Sequence, residues 1–246
     1  MIKRFIALML IAGCAAGQGI LPGLMAYKNA HAWPTIREDD CIFAYDFSDG
    51  TATDKSGYGH DGVLSNVTWV AATSTNSAYM EFAGTNTSFI DVPDFVGTNR
   101  TEFTIAFWVN FYSTDKFFFL GTWGGLALSV NTYATSQFYM HTKSGNYWLL
   151  YINTSHGPEW YHIVVTFSKS ANKICVYQNG LRTLDNAATP CCINWDEFAL
   201  GRMGNDGQPT ATLYGALSQV QMWDVALSSN ESYQVSQEDV DGFPQP

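Results

Sequence analysis

Between Trp160 and Leu184 the chain writes out two strands and the turn joining them. Ile163, Val165 and Phe167 recur at period two, with His162, Val164 and Thr166 on the opposite side. Ile174 to Gln178, Asn179-Gly180 and Leu181 to Leu184 follow. Asn-Gly readily takes the positive φ angles of a two-residue hairpin turn, so the flanking strands are expected to pair antiparallel. The same alternation places Phe103, Ile105, Phe107 and Val109 on one face of a strand that runs to Asn110. Further strands are expected at Cys41 to Phe47, Tyr79 to Phe82, Phe89 to Val92, Phe117 to Leu120, Leu126 to Val130, Gln137 to His141, Trp148 to Ile152, Phe198 to Gly201 and Ala216 to Asp224. No stretch has the period of a long helix. About a dozen short strands between Gly, Asn, Asp and Ser turns predict an all-β protein, two antiparallel sheets packed as a β-sandwich.

Residues 1–32 stand apart. Lys3 and Arg4 precede an uncharged run from Phe5 to Tyr27, closed by Lys28, which reads as an export or anchoring segment. Three readings stay open: a secretory signal ending at Ala30-His31-Ala32 before Trp33, a lipoprotein signal ending at Cys14, and an uncleaved membrane helix interrupted by Gly17, Gly19, Pro22 and Gly23. Each predicts that the folded part is secreted or displayed on an extracellular surface, meeting a membrane only through residues 1–32. The folded domain is expected over 33–236, with a loose acidic tail at 237–246.

Charge narrows the partners. Twelve Lys and Arg against 22 Asp and Glu give a net charge of −10; without residues 1–32, nine cations face the same 22 acids, for −13. A phosphate backbone would be repelled, so nucleic acid is excluded as the expected partner.

Cys41, Cys175, Cys191 and Cys192 form an even set outside the leader and fit an oxidising compartment. A bond between the adjacent Cys191 and Cys192 needs a strained ring. Cys175 is therefore expected to bridge to one of them, closing a loop worth ~3 kcal/mol on the chain-entropy model.

Several motifs in order resemble one family. Tyr45-Asp46-Phe47, the loop Asp54-Lys55-Ser56-Gly57-Tyr58-Gly59-His60-Asp61-Gly62, the strands Phe103 to Val109 and Trp160 to Phe167, and Val176-Tyr177-Gln178-Asn179-Gly180 are similar to laminin-G-like domains of the concanavalin A-like superfamily. Leu200-Gly201, Tyr214 to Leu217, Val220 to Trp223 and Ala226-Leu227-Ser228 complete the resemblance, which covers roughly Cys41 to Val235. It implies a jelly roll. Many relatives carry an acidic pair where this chain has Ser218 and Gln219, so no metal or contact is carried over there.

Chemistry has to come from sites, because this fold serves enzymes and binders alike. Gly57-x-Gly59-x-x-Gly62 matches the dinucleotide fingerprint in spacing, but Val63 to Val70 after it reads as strand, whereas the fingerprint requires a helix N-terminus. A glycosidase needs paired carboxylates facing a sugar; Glu81, Asp91 and Glu159 stand singly, and Glu238, Asp239 and Asp241 lie in the tail. Calcium is the expected inorganic partner, with Asp54 and Asp61 flanking a Gly-rich loop and Asn205-Asp206 adding oxygens from another; the competing reading is an Asx-stabilised turn. Glycan contacts are expected at Trp108, Trp123, Tyr147 and Trp148, since flat rings stack on sugar faces. The resulting expectation is a non-catalytic recognition or adhesion module that binds glycan. The rivals are a structural component of a cell-surface or virion assembly, packing on surface proteins or on copies of itself, and a divergent polysaccharide-degrading enzyme.

Overall fold

A computed structural model describes residues 35–73, 77–93, 97–112, 118–121, 127–131, 137–142, 145–151, 159–187, 193–195, 198–202 and 212–238. The strands in chain order are β1 (Cys41–Tyr45), β2 (Val63–Ser65), β3 (Val67–Val70), β4 (Tyr79–Ala83), β5 (Phe89–Val92), β6 (Gly97–Arg100), β7 (Glu102–Phe111), β8 (Phe118–Gly121) and β9 (Ala127–Asn131). They continue as β10 (Gln137–Thr142), β11 (Gly145–Tyr151), β12 (Trp160–Ser168), β13 (Lys173–Gln178), β14 (Leu181–Ala187), β15 (Ile193–Trp195), β16 (Phe198–Leu200) and β17 (Tyr214–Trp223), before helix α1 (Ser229–Gln237).

One eight-stranded sheet runs β14-β13-β12-β7-β17-β4-β3, with β1 also pairing to β17; a seven-stranded sheet runs β11-β10-β9-β8-β16-β5-β2; β15 and β6 form a small third pair. All the ladders are antiparallel, as expected. The period-two residues of β7 and β12 decide which way the large sheet faces. Phe103, Ile105, Phe107 and Val109 with Ile163, Val165 and Phe167 bury against Ile90 and Val92 of β5 and Phe198 and Leu200 of β16. Removing that apolar surface from water is the main force joining the two sheets. The hairpin forms as predicted: Asn179 has φ 50° and Gly180 φ 76° between β13 and β14. Gly57 and Gly59 also have positive φ, in a loop followed by strands β2 and β3, so the glycine spacing is turn chemistry.

β17 carries a bulge that its sequence does not announce. Gln219 sits at φ 48° and the register on β7 shifts between Ser218 and Gln221. The extra residue flips the alternation, so Leu217 before it and Val220 and Met222 after it all enter the core. Ser218 Oγ donates to the Ala78 carbonyl at 2.6 Å and Gln219 Nε2 to Ser77 Oγ at 3.3 Å.

The outer face of the large sheet is half covered. Ala106, Val164, Cys175, Tyr177 and Trp223 pack with Leu227 and with Val235 of α1 in a second apolar cluster. The helix was not expected, although Ser228-x-x-Glu231 is a capping-box spacing. Ser228 Oγ accepts from the Glu231 N–H, and the Glu231 carboxylate accepts from the Ser228 N–H at 2.8 Å. That bond holds the Glu231 carboxyl below its ordinary range. The tail starts later than expected, because Gln237 closes α1 and the Glu238 carboxylate accepts from the N–H and hydroxyl of Thr35.

The expected Cys175 bridge is not formed. Ile174 and Val176 take the inner face of β13, which turns Cys175 outward into the cluster under α1 as a free, buried thiol. Cys41 is likewise free and buried, with its thiol pKa pushed up by burial. Cys191 and Cys192 lie outside the described residues.

Candidate functional site

The rest of that outer face gathers polar and aromatic side chains from four strands. Asn110 of β7 lies between Trp160 of β12 and Ala216 of β17, and Ala216 is also opposite Glu81 of β4, so the four form one row across the sheet. Ala216 contributes only a methyl group, which leaves the middle of the row low. Over it the rings of Tyr79 and Trp160 meet edge to face, centroids 5.3 Å apart and planes 68° apart. At the next step along the strands, the Tyr112 N–H donates to the Tyr214 carbonyl at 3.1 Å, and their rings cross at 88° with centroids 5.8 Å apart. Such T-shaped pairs match a ring edge to a π face and hold both rings in place without covering all of either. Tyr112 and Tyr214 remain 37% and 41% exposed.

The polar centre is a phenol on a carboxylate. Tyr112 Oη donates to Glu81 Oε1 at 2.6 Å. Burial, and then this bond to Glu81, push the Tyr112 hydroxyl well above its ordinary pKa. Burial and the Glu81 charge raise Tyr79 in the same direction. Both phenols are therefore neutral at physiological pH.

Beside the Asn110 row on the same face, two residues along each strand, Trp108, His162 and Ser218 form a second row. Trp108 is only 4% exposed, and its ring lies 5.0 Å from that of His162. An exposed Trp108 was expected from the polar side of its strand; the fold instead covers that position. His162 is buried, which lowers its pKa to about 3 and keeps it neutral. His162 Nδ1 and Asn110 Oδ1 are buried without a hydrogen-bond partner. A buried polar atom left unpaired costs about 1–3 kcal/mol, which a bound water beside either atom would offset.

The other expected contacts do not join this cluster. Trp123 lies outside the described residues. The described backbone places Tyr147 and Trp148 in β11, opposite Met140 and Tyr139, at the far edge of the seven-stranded sheet. Conversely, Tyr79, Asn110, Tyr112, Trp160 and Tyr214 carry no expectation of a ligand contact, and Glu81 reads in sequence only as a carboxylate that stands singly. The alternation on β7 that puts Phe103 to Val109 inside also puts Asn110 and Tyr112 outside, and that was their available signal.

The Asp54 loop is built as a staple. Asp54 Oδ1 accepts from the N–H groups of Ala44 and Ser56, both at 2.9 Å, and Oδ2 accepts from Ser56 Oγ at 2.8 Å and the His60 N–H at 3.0 Å. Asp61 Oδ1 accepts from the Asp54 N–H at 2.7 Å. Donors thus occupy both Asp54 carboxylate oxygens, the pattern of an Asx-stabilised turn. Asn205 and Asp206 lie outside the described residues, and among the described residues no three His, Cys, Asp or Glu side chains converge as a metal site.

Comparison with solved structures agrees with the jelly roll. Domain 4 of a GH43 extracellular arabinanase from Geobacillus stearothermophilus, solved in complex with arabinotriose, superposes with a TM-score of 0.63 at 17% identity, covering 80% of this chain and 98% of that one. The binding domain of Paraclostridial Mosquitocidal Protein 1 gives 0.64 at 16% identity over 81% of this chain and 52% of that one. The Botulinum neurotoxin serotype D ligand binding domain in complex with N-acetylneuraminic acid gives 0.63 at 11% identity over 81% and 51%. The chain thus spans about half the length of these toxin domains. At these identities the likeness is one of fold. No curated protein matches the sequence. The sequence model of one family, however, matches residues 83–231, more than half of the chain and most of its strands, and the chain belongs to the concanavalin A-like lectin/glucanases superfamily.

Proposed function

We propose that this protein is a non-catalytic recognition module, exported or displayed on a surface, that binds glycan on the outer face of its eight-stranded sheet. The observation that carries the reading is the aromatic cluster of Tyr112 and Tyr214, 37% and 41% exposed, with Tyr79 and Trp160, around the Glu81 carboxylate. A sugar presents apolar C–H faces and a rim of hydroxyl donors. The rings supply surfaces for the first, and the Glu81 carboxylate accepts from the second. Solved neighbours of the same fold hold arabinotriose and N-acetylneuraminic acid, which supports a glycan as the ligand class. Among the described residues Glu81 is the carboxylate placed in the cluster, whereas glycoside hydrolysis requires a pair about 5 to 9 Å apart, so binding without turnover is the better chemical fit.

The test is titration of the full chain with a panel of oligosaccharides, read by tryptophan fluorescence and calorimetry. At least one glycan is expected to bind at ~10 µM to 1 mM, about 4–7 kcal/mol, with no release of reducing ends. Trp160→Ala is expected to weaken that binding while the protein still melts cooperatively. Turnover would make the protein an enzyme, and absence of binding with strong self-association would make it a structural component.

A further inference from the structure

We infer that the Tyr79–Glu81–Asn110–Tyr112–Trp160–Tyr214 face selects uncharged sugars over sialylated or uronate-bearing ones, an inference that rests on the glycan-binding reading above. The argument is one of charge and of donor and acceptor count. At neutral pH the only charge in the cluster is that of Glu81, because burial and Glu81 itself hold the Tyr79 and Tyr112 hydroxyls protonated and burial holds His162 neutral.

No cation offsets that charge among the described residues. Arg37 pairs with Asp40, Lys55 with Asp49, Arg100 with Asp224, and Lys173 and Arg182 with Asp185. The Arg202 guanidinium lies 3.3 Å over the Phe89 ring, on a strand of the other sheet. Lys169 follows the last residue of β12, whereas Trp160 is its first, which separates them by about 25 Å of extended chain.

The hydrogen-bonding groups point the same way. The Tyr112 proton is already donated to Glu81, so the carboxylate presents an acceptor to a ligand. A sugar hydroxyl can donate to it. A ligand carboxylate brings two more acceptors and a like charge, and like charges placed together at a binding face cost enough to exclude a partner. The net charge of −10 adds long-range repulsion of the same sign.

The experiment uses the full chain and matched probes: neutral gluco-, galacto-, manno- and arabino-oligosaccharides, and the same oligosaccharides carrying a terminal sialic acid or uronic acid. Each is titrated at about 0.02 M and about 0.3 M salt, where screening differs several-fold in range. The acidic member of each pair is expected to bind at least about tenfold more weakly at low salt, with the gap closing at high salt. Glu81→Gln, checked for a cooperative melt, is expected to narrow the low-salt gap, and Trp160→Ala to weaken the neutral member. Equal or tighter binding of the acidic member, a gap indifferent to salt, or neutral binding untouched by Trp160→Ala overturns the selectivity while leaving glycan recognition standing. Failure of both members to bind overturns the glycan reading itself.

Discussion

Tyr79 and Trp160 touch ring to ring at 5.3 Å although β17 and β7 lie between their strands. Two side chains can span that distance only where the strands beneath carry something small, and Ala216 in the row below provides the gap. The contact is therefore expected to couple the two residues energetically. A double-mutant cycle of Tyr79→Ala and Trp160→Ala, read by denaturant unfolding, should return about 0.5–1.5 kcal/mol of interaction. Strict additivity would mean that the rings merely neighbour each other.

Tyr112 should be among the last tyrosines to ionise. Its folded pKa is raised, so the folded chain keeps a proton that the unfolded chain loses near pH 10, and stability falls as pH rises beyond that point. Absorbance titration of Tyr112→Phe should lack one late-titrating phenol, and its alkaline loss of stability should be shallower than that of the native protein. An unchanged titration curve would place the Glu81 bond elsewhere.

His162 governs part of the acid limb. Its folded pKa is about 3 and its unfolded value about 6.5, so between those limits the unfolded chain binds the extra proton. Its contribution is complete above about pH 6.5 and is withdrawn as pH falls towards 3, by at most about 1.4 kcal/mol per pH unit. His162→Phe keeps an aromatic ring beside Trp108 and removes the titration. Its stability is expected to decline less steeply over that window, and parallel pH profiles would contradict the assignment.

Gly180 is needed twice, for its backbone and for its neighbour. It holds φ 76° in the hairpin, and a Cβ there would lie 2.7 Å from Ser236 Oγ of α1. Gly180→Val should cost about 1–3 kcal/mol, read as a lower melting temperature. A melting temperature equal to that of the native protein would contradict both reasons.

Asp54 should matter to stability without calcium. Its carboxylate accepts four hydrogen bonds that tie the loop to β1, and Asp54→Ala leaves those donors without it. A loss of about 2–3 kcal/mol is expected, because hydrogen bonds to charged groups are the stronger kind. Native melting curves should coincide in chelator and in calcium. A rise in melting temperature with calcium would show that an ion is bound by the folded state.

The hairpin and the two central strands were legible because their causes are local. Asn179 and Gly180 accept positive φ by their own chemistry, and Phe103 to Val109 and Ile163 to Phe167 alternate within a few residues. Strands β6 and β15 were harder to see, being three or four residues long and without a sustained alternation, whereas β2 and β3 fall within the Val63 to Val70 stretch that reads as strand. The same brevity hid α1, whose Ser228 and Glu231 signature precedes a helix of only nine residues.

The sequence by itself determined the all-β class, the hairpin and the inner faces of β7 and β12, since period and turn type are properties of neighbouring residues. Only the tertiary structure decided which outward residues meet. Strand order sets β4 beside β17 and β17 beside β7, which brings Glu81, Ala216, Asn110 and Trp160 into one row from four separate parts of the chain. It likewise put α1 over Cys175 and covered Trp108, making a free buried thiol where a bridge was expected and a buried ring where a contact was expected. Pairing between distant strands is settled by the joint burial of their inner faces, and the outer faces are carried along by that choice.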